Sequence, residues 1–231
     1  MPAEALLLLP GMMCDERLFR AQIDALNLPV MLADTSSDDN FAAMAQRALG
    51  SAPPRFAVLG LSMGGILAFE IWRQAPERIT HLCLLNTNPH PDSAERRSMR
   101  VGQIAEVLRG GLRTIAIDAL KPAYLAAANR DNQSLLDGIL EMALELGATS
   151  FERQSIALRD RADSVATLSS IDCPTAIVCG AEDRLCPVEY HELMAERIRG
   201  ATLHVLDDCG HLSSLEQPER VTDITRELLA Q

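Results

Sequence analysis

The chain has 231 residues, 48% apolar and 23% charged, with 32 acidic against 21 basic side chains and a formal net charge of −11. That length suits one domain with a full hydrophobic core, and an acidic chain with no local basic patch argues against a nucleic-acid partner. Its apolar runs, such as Ala5–Leu9, are far short of the roughly 20 residues of a membrane span, and no secretory leader is visible, so a cytoplasmic protein without a membrane partner is expected.

In chain order, Ala5–Leu9 is an apolar run that stops at Pro10-Gly11, and Pro29–Ala33 is a shorter one. Phe41–Leu49 carries apolar residues at helical spacing. Phe56–Leu61 is a third strand-like run and ends at Ser62. Gly64–Ala75 reads as a helix that Pro76 stops. His81–Asn86 is the fourth strand, Thr175–Cys179 the fifth and Thr202–Leu206 the sixth, with helices expected at Val188–Arg199 and Glu216–Leu229. Strands buried on both faces read as continuous apolar runs, and their alternation with helices predicts a doubly wound, mostly parallel α/β sheet of about six strands.

One stretch breaks the alternation. From Pro89 to Ser170 no strand appears, and Asp92–Leu108, Leu112–Leu120, Asn132–Leu146 and Ser150–Arg161 all have helical patterns. The expected division is therefore a core of residues 1–88 and 171–231 with a helical lid, 89–170, over the carboxyl ends of the strands.

Gly60-Leu61-Ser62-Met63-Gly64-Gly65 contains G-x-S-x-G between a strand and a helix. This is the pattern of a nucleophile elbow, a turn so sharp that only small residues, here Gly60 and Gly64, fit on either side of Ser62. A serine hydroxyl needs a base to take its proton and a carboxylate to hold that base. After such an elbow the acid comes next in the chain and the histidine last. Asp183 follows the fifth strand and His211 sits in the Gly-containing loop after the sixth. Glu182, Asp207 and Asp208 are rival acids. Among the other histidines, His81 and His204 belong to strand patterns, His191 is expected on an exposed helix face, and His90 could line the pocket. Two backbone N–H donors should face the developing oxyanion: Met63, and Met12 in the loop after the first strand.

These segments, with Leu6–Phe19, Gly180–Pro187 and Gly210–Pro218, resemble the α/β-hydrolase superfamily over nearly the whole chain, most closely small bacterial carboxylesterase-type members with a helical lid. The resemblance implies Ser62, Asp183 and His211 as a triad with Met12 and Met63 as oxyanion donors. Two departures stand out. Pro10-Gly11 replaces a common His-Gly, and the chain starts directly at the first parallel strand, without the two-stranded hairpin of many relatives.

The expected activity is hydrolysis of a small-molecule carboxylic ester through an acyl-enzyme, with no metal and no cofactor. Carbon–carbon bond or lactone hydrolysis, lyase or acyl-transfer chemistry would use the same triad, and a non-catalytic ligand-binding protein could keep the fold. Met13 and His90 are candidate pocket residues. Arg96, Arg97 and Arg100 are either a solvated helix face or an anchor for a substrate carboxylate or phosphate. Six cysteines form no C-x-x-C pair and no zinc-like spacing, so reduced thiols are expected; Cys14, Cys186 and Cys209 lie near the active-site loops and leave a regulatory thiol or disulfide open. No heptad or interface stripe indicates an oligomeric state.

Overall fold

The computed structural model describes residues 4–120 and 124–231. Of the segments expected above, only residues 1–3 of the core and 121–123 of the helical stretch lie outside the described residues.

Six strands form a single all-parallel sheet: β1 (Leu6–Leu9), β2 (Val30–Leu32), β3 (Phe56–Leu61), β4 (Ile79–Leu85), β5 (Thr175–Gly180) and β6 (Thr202–Leu206), in the order β2-β1-β3-β4-β5-β6. The inner strands are apolar along most of their length, β1 and β3 throughout, because both their faces are covered. Leu7 and Leu9 of β1 and Phe56 and Val58 of β3 enter one core. The alternate residues, Leu6 and Leu8, and Ala57, Leu59 and Leu61, enter the core on the opposite face. This is the period-two alternation of a pleated strand with apolar residues at both phases.

Helices cover both faces. The turn Glu16–Phe19 and α1 (Arg20–Ala25) were not anticipated from the sequence; Asp15 starts them, its side chain accepting the N–H of Arg17. The helices α2 (Phe41–Ser51) and α3 (Met63–Gln74) supply Met44, Ala45 and Leu67 to the first core. After β4 the chain leaves the sheet for a helical insert: α4 (Ala94–Glu106), a π-helical turn at Val107–Gly111, α5 (Leu112–Ile115), a second such turn at Ala116–Leu120, α6 (Gln133–Arg159) and α7 (Val165–Leu168). Gly147, with φ +78°, interrupts α6 where the sequence separates two helices. The chain then returns through β5, α8 (Val188–Arg197), β6, α9 (Ser213–Glu216) and α10 (Pro218–Leu229), whose Val221, Ile224 and Leu228 close the second core. No helix of the described residues is long and apolar enough to cross a membrane.

Candidate active site

The carboxyl ends of β3, β4, β5 and β6 deliver the polar residues of one site. Ser62 follows β3 with φ +55° and ψ −112°, a conformation that costs a non-glycine residue about 1–3 kcal/mol and must be held by its surroundings. Three hydrogen bonds hold it. The Ser62 N–H donates to the Leu85 carbonyl at 2.9 Å, and its own carbonyl accepts from the Ile66 N–H at 3.1 Å and from the Thr87 hydroxyl at 2.7 Å. The flanking glycines are required by contact. A Cβ on Gly60 would lie 2.6 Å from the Gly64 carbonyl oxygen, and one on Gly64 would overlap the Leu9 carbonyl.

Ser62 Oγ lies 2.8 Å from His211 Nε2, and His211 Nδ1 lies 2.8 Å from Asp183 Oδ2. Both Asp183 and His211 are buried. Asp183 Oδ1 accepts the N–H groups of Leu185 and Cys186, each at 2.9 Å. Burial alone would raise the Asp183 carboxyl, but the charge and hydrogen bond of His211, with the Cys186 and Asn86 donors, hold it below the ordinary aspartate value. The His211 N–H donates to the Tyr124 carbonyl at 2.6 Å, and the Tyr124 ring stacks on the imidazole with centroids 5.7 Å apart. Nδ1–H donating to Asp183 leaves Nε2 free to accept the serine proton. The rival acids are elsewhere engaged or exposed: Glu182 accepts the Ala127 N–H, and Asp207 and Asp208 face solvent.

The loop after β1 passes beside the serine, since a Cβ on Gly11 would sit 3.7 Å from Ser62 Cβ. The N–H groups of Met12, in that loop, and of Met63, first in α3, have no backbone acceptor among the described residues.

A cavity of about 390 Å³ opens on Ser62 and His211. Arg96, Met99, Arg100 and Gln103 of α4 form one wall, at the i, i+3, i+4, i+7 spacing of a single helix face. Arg97 points the other way, toward Asp160, with an exposed side chain. Two further expectations are corrected. Met13 does not line the cavity: its φ of +56° carries the side chain into an apolar cluster with Val107, Leu112 and Phe151. His90 does not line it either; its ring meets Tyr190 edge-on at 5.1 Å.

A family model described as "Alpha/beta hydrolase family" matches residues 7–224. The chain belongs to the alpha/beta hydrolase family. It is 28% identical over 184 residues to the pimeloyl-[acyl-carrier protein] methyl ester esterase of Aromatoleum aromaticum, covering 72% of this chain and 71% of that protein. Among solved structures it resembles a thermophilic esterase from Thermogutta terrifontis, with a TM-score of 0.89 and 28% identity over 99% of this chain and 90% of that one. The enol-lactonase of Burkholderia xenovorans shares the fold, with a TM-score of 0.89 at 20% identity, over 100% of this chain and 93% of the other.

Several residues of this alpha/beta hydrolase site escape sequence reasoning. Asn86, at the end of β4, donates to Asp183 Oδ2 and to the Gly210 carbonyl, both at 3.0 Å. His191, expected at the surface, is fully buried. Its Nε2 accepts the Thr87 N–H at 3.0 Å, so α8 steadies the residue that holds the elbow carbonyl. Its spacing with the buried Met194 and Ile198 was the available signal. Asp92 is fully buried between Arg100 (2.5 Å) and Arg161 (2.6 Å).

All six cysteines are buried and unpaired. Burial raises the thiols of Cys14, to about 12, and of Cys186 and Cys209, so each resists forming a thiolate. Asp183, Cys186 and His211 offer ligand atoms within 4.8 Å of one another. The Asp183 oxygens and His211 nitrogens are already hydrogen-bonded, however, and the Cys186 thiol is held protonated, which makes a poor donor set for a metal.

Proposed function

We propose that this protein is a serine hydrolase acting on small carboxylic esters through an acyl-enzyme. The unbroken chain of hydrogen bonds from Ser62 Oγ through His211 to Asp183 carries the reading. The esterase relatives favour an ester among the carbonyl substrates that such a chain can attack.

In the first step Ser62 Oγ bonds to the ester carbonyl carbon while its proton passes to His211 Nε2. The carbonyl electron pair moves onto oxygen, where the Met12 and Met63 N–H groups donate to it. The positive end of α3 favours the same charge. The intermediate collapses, the alkoxide leaves with the proton from His211, and the acyl group stays on Ser62. Water then attacks with His211 as base, releasing the acid and restoring the serine. Asp183 holds the Nδ1–H tautomer and balances the transient imidazolium. The insert, residues 89–170, acts as the lid: it supplies the α4 wall of the cavity and, through Tyr124, the carbonyl that fixes the His211 backbone.

The test is covalent labelling by a fluorophosphonate, followed by a panel of short-chain p-nitrophenyl esters. Labelling in the wild type and none in Ser62→Ala, with ester turnover lost in parallel, supports the reading. A folded protein that takes no label and turns over no ester would overturn it. Labelling with no ester turned over would keep Ser62 as nucleophile and move the substrate to a lactone or a carbon–carbon bond.

A further inference from the structure

The charge of the cavity wall is unbalanced. Two guanidinium groups, Arg96 and Arg100, line the cavity together with Ser62 and His211, and no aspartate or glutamate lines it among the described residues. The chain as a whole carries eleven more acidic than basic side chains, so carboxylates were not in short supply; none is placed here.

The hydrogen bonds sharpen the imbalance. Arg96 donates through Nη2 to the Leu185 carbonyl at 3.1 Å, and no carboxylate among the described residues lies within 4.0 Å of it. Arg100 gives Nε to Asp92 and Nη1 to the weakly accepting sulfur of Met12 at 3.7 Å. Asp92 is shared with Arg161, whose side chain is almost wholly buried. Arg100 and Arg161 thus share one carboxylate, Arg96 has none, and most of the donors of Arg96 remain unspent. An Arg pair at i, i+4 also repels itself along the helix, so nothing local to α4 rewards the arrangement. The Asp92–Arg161 pair fixes Arg100 at the wall, and the Leu185 carbonyl fixes Arg96 beside it.

We propose that Arg96 and Arg100 hold a carboxylate of the substrate, so that the preferred substrate is a small half-ester: a dicarboxylic acid with one end esterified and the other free. The inference rests on the serine-esterase reading of Ser62. The cavity, about 390 Å³, is at the small end of ligand pockets, and Arg100 touches Met12, the residue proposed above as an oxyanion donor. The ester and the carboxylate therefore belong to one short molecule. A planar carboxylate matches the donor fork of a guanidinium, and a charge-assisted bond in a partly enclosed cavity is stronger than the same bond in bulk water.

The experiment compares monoethyl with diethyl esters of succinate, glutarate and adipate, and measures glutarate binding to the Ser62→Ala protein by calorimetry. The half-esters should be preferred through a lower KM, with one chain length best. The half-ester to diester ratio of kcat/KM should fall roughly 10- to 100-fold in Arg96→Met and in Arg100→Gln, the loss of one charged hydrogen bond. Arg96→Lys should recover part of it, and Arg97→Met, on the outer face, should leave the ratio as it was. Glutarate binding should disappear when Arg96→Met is added to Ser62→Ala. Equal use of half-esters and diesters, or an unchanged ratio in folded Arg96→Met, overturns the anchor while the esterase stands. No label and no ester turnover, with Arg96-dependent glutarate binding intact, overturns the esterase and keeps the anchor.

Discussion

Asn86 Nδ2 lies 3.0 Å from Asp183 Oδ2, so the residue that follows β4 holds the carboxylate that follows β5. The same amide reaches the Gly210 carbonyl, next to His211. Asn86 has φ +47°, a left-handed conformation that asparagine tolerates better than most residues. Its amide bonds neither Ser62 nor the His211 ring; it holds the Asp183 carboxylate and the loop that carries His211. Asn86→Gly keeps the backbone angle and removes both donors. The expected result is a fall in kcat of roughly tenfold or more, the worth of one to two buried hydrogen bonds. KM for a short ester should stay nearly constant and the fluorophosphonate labelling rate should fall with kcat. A change in KM alone would show that Asn86 shapes the cavity instead.

Replacing the acid isolates its role. Asp183→Asn preserves size but presents an amide to His211 Nδ1, which favours the wrong tautomer for accepting the Ser62 proton. An ester kcat lower by roughly 10³- to 10⁴-fold is expected, with the protein still folded. A loss below tenfold in steady-state kinetics would point to another carboxylate.

Two glycine-to-alanine changes should act in opposite directions. Gly64→Ala forces a methyl group onto the Leu9 carbonyl, backbone against backbone, where neither side can yield cheaply. A destabilisation of about 3 kcal/mol or more is expected in urea. Gly102 lies exposed in α4 with no atom within 4 Å of its missing Cβ. There alanine should add about 0.5–1 kcal/mol by restricting the unfolded chain and favouring helix. Equal effects at the two sites would remove the steric account of the elbow.

His191 should make stability depend on pH. Burial lowers its imidazole from 6.5 to about 4, since the charged form would be desolvated. Between those values the unfolded chain binds a proton that the folded chain refuses, so unfolding is favoured as pH falls. The stabilisation is complete above pH 6.5 and declines toward pH 4, by about 3 kcal/mol if the full shift is expressed. Asp183 acts lower, because its contribution is lost only as pH drops below the ordinary aspartate range of 3.8. Denaturant melts of wild type and His191→Gln across pH 4–7 separate the two. Parallel curves would assign the window to other groups.

What could be read in the sequence was what is local. The inner strands are mostly apolar runs because they are covered on both faces, and that pattern needs no knowledge of partners. Ser62, Asp183 and His211 could be picked out because an elbow is a short pattern and the other two follow strand ends in a fixed order. Distant contacts left no such trace. Asp92 and Arg161 are 69 positions apart, and nothing near either announces the other. Thr87 and His191 meet across 104 positions. Met13 was misjudged because one backbone angle decides whether its side chain turns toward the cavity or away, and no composition encodes that angle. Of the three α4 arginines, the helical period alone separates Arg97 from Arg96 and Arg100; which side faced the cavity waited on how α4 packs.

β4 and β5 are hydrogen-bonded neighbours, Leu82 against Thr175 through Leu85 against Val178, yet the whole insert is threaded between them. The entropy of closing so long a loop changes slowly with its length, by about 0.6 kcal/mol for each doubling. Extra length placed away from Tyr124, Ile139 and Leu158, which pack on the sheet's two cores, would therefore change the closure cost of the sheet very little. The cavity wall that carries Arg96 and Arg100 and the strand ends that carry Ser62, Asp183 and His211 are thus joined at a seam where added chain length itself costs little.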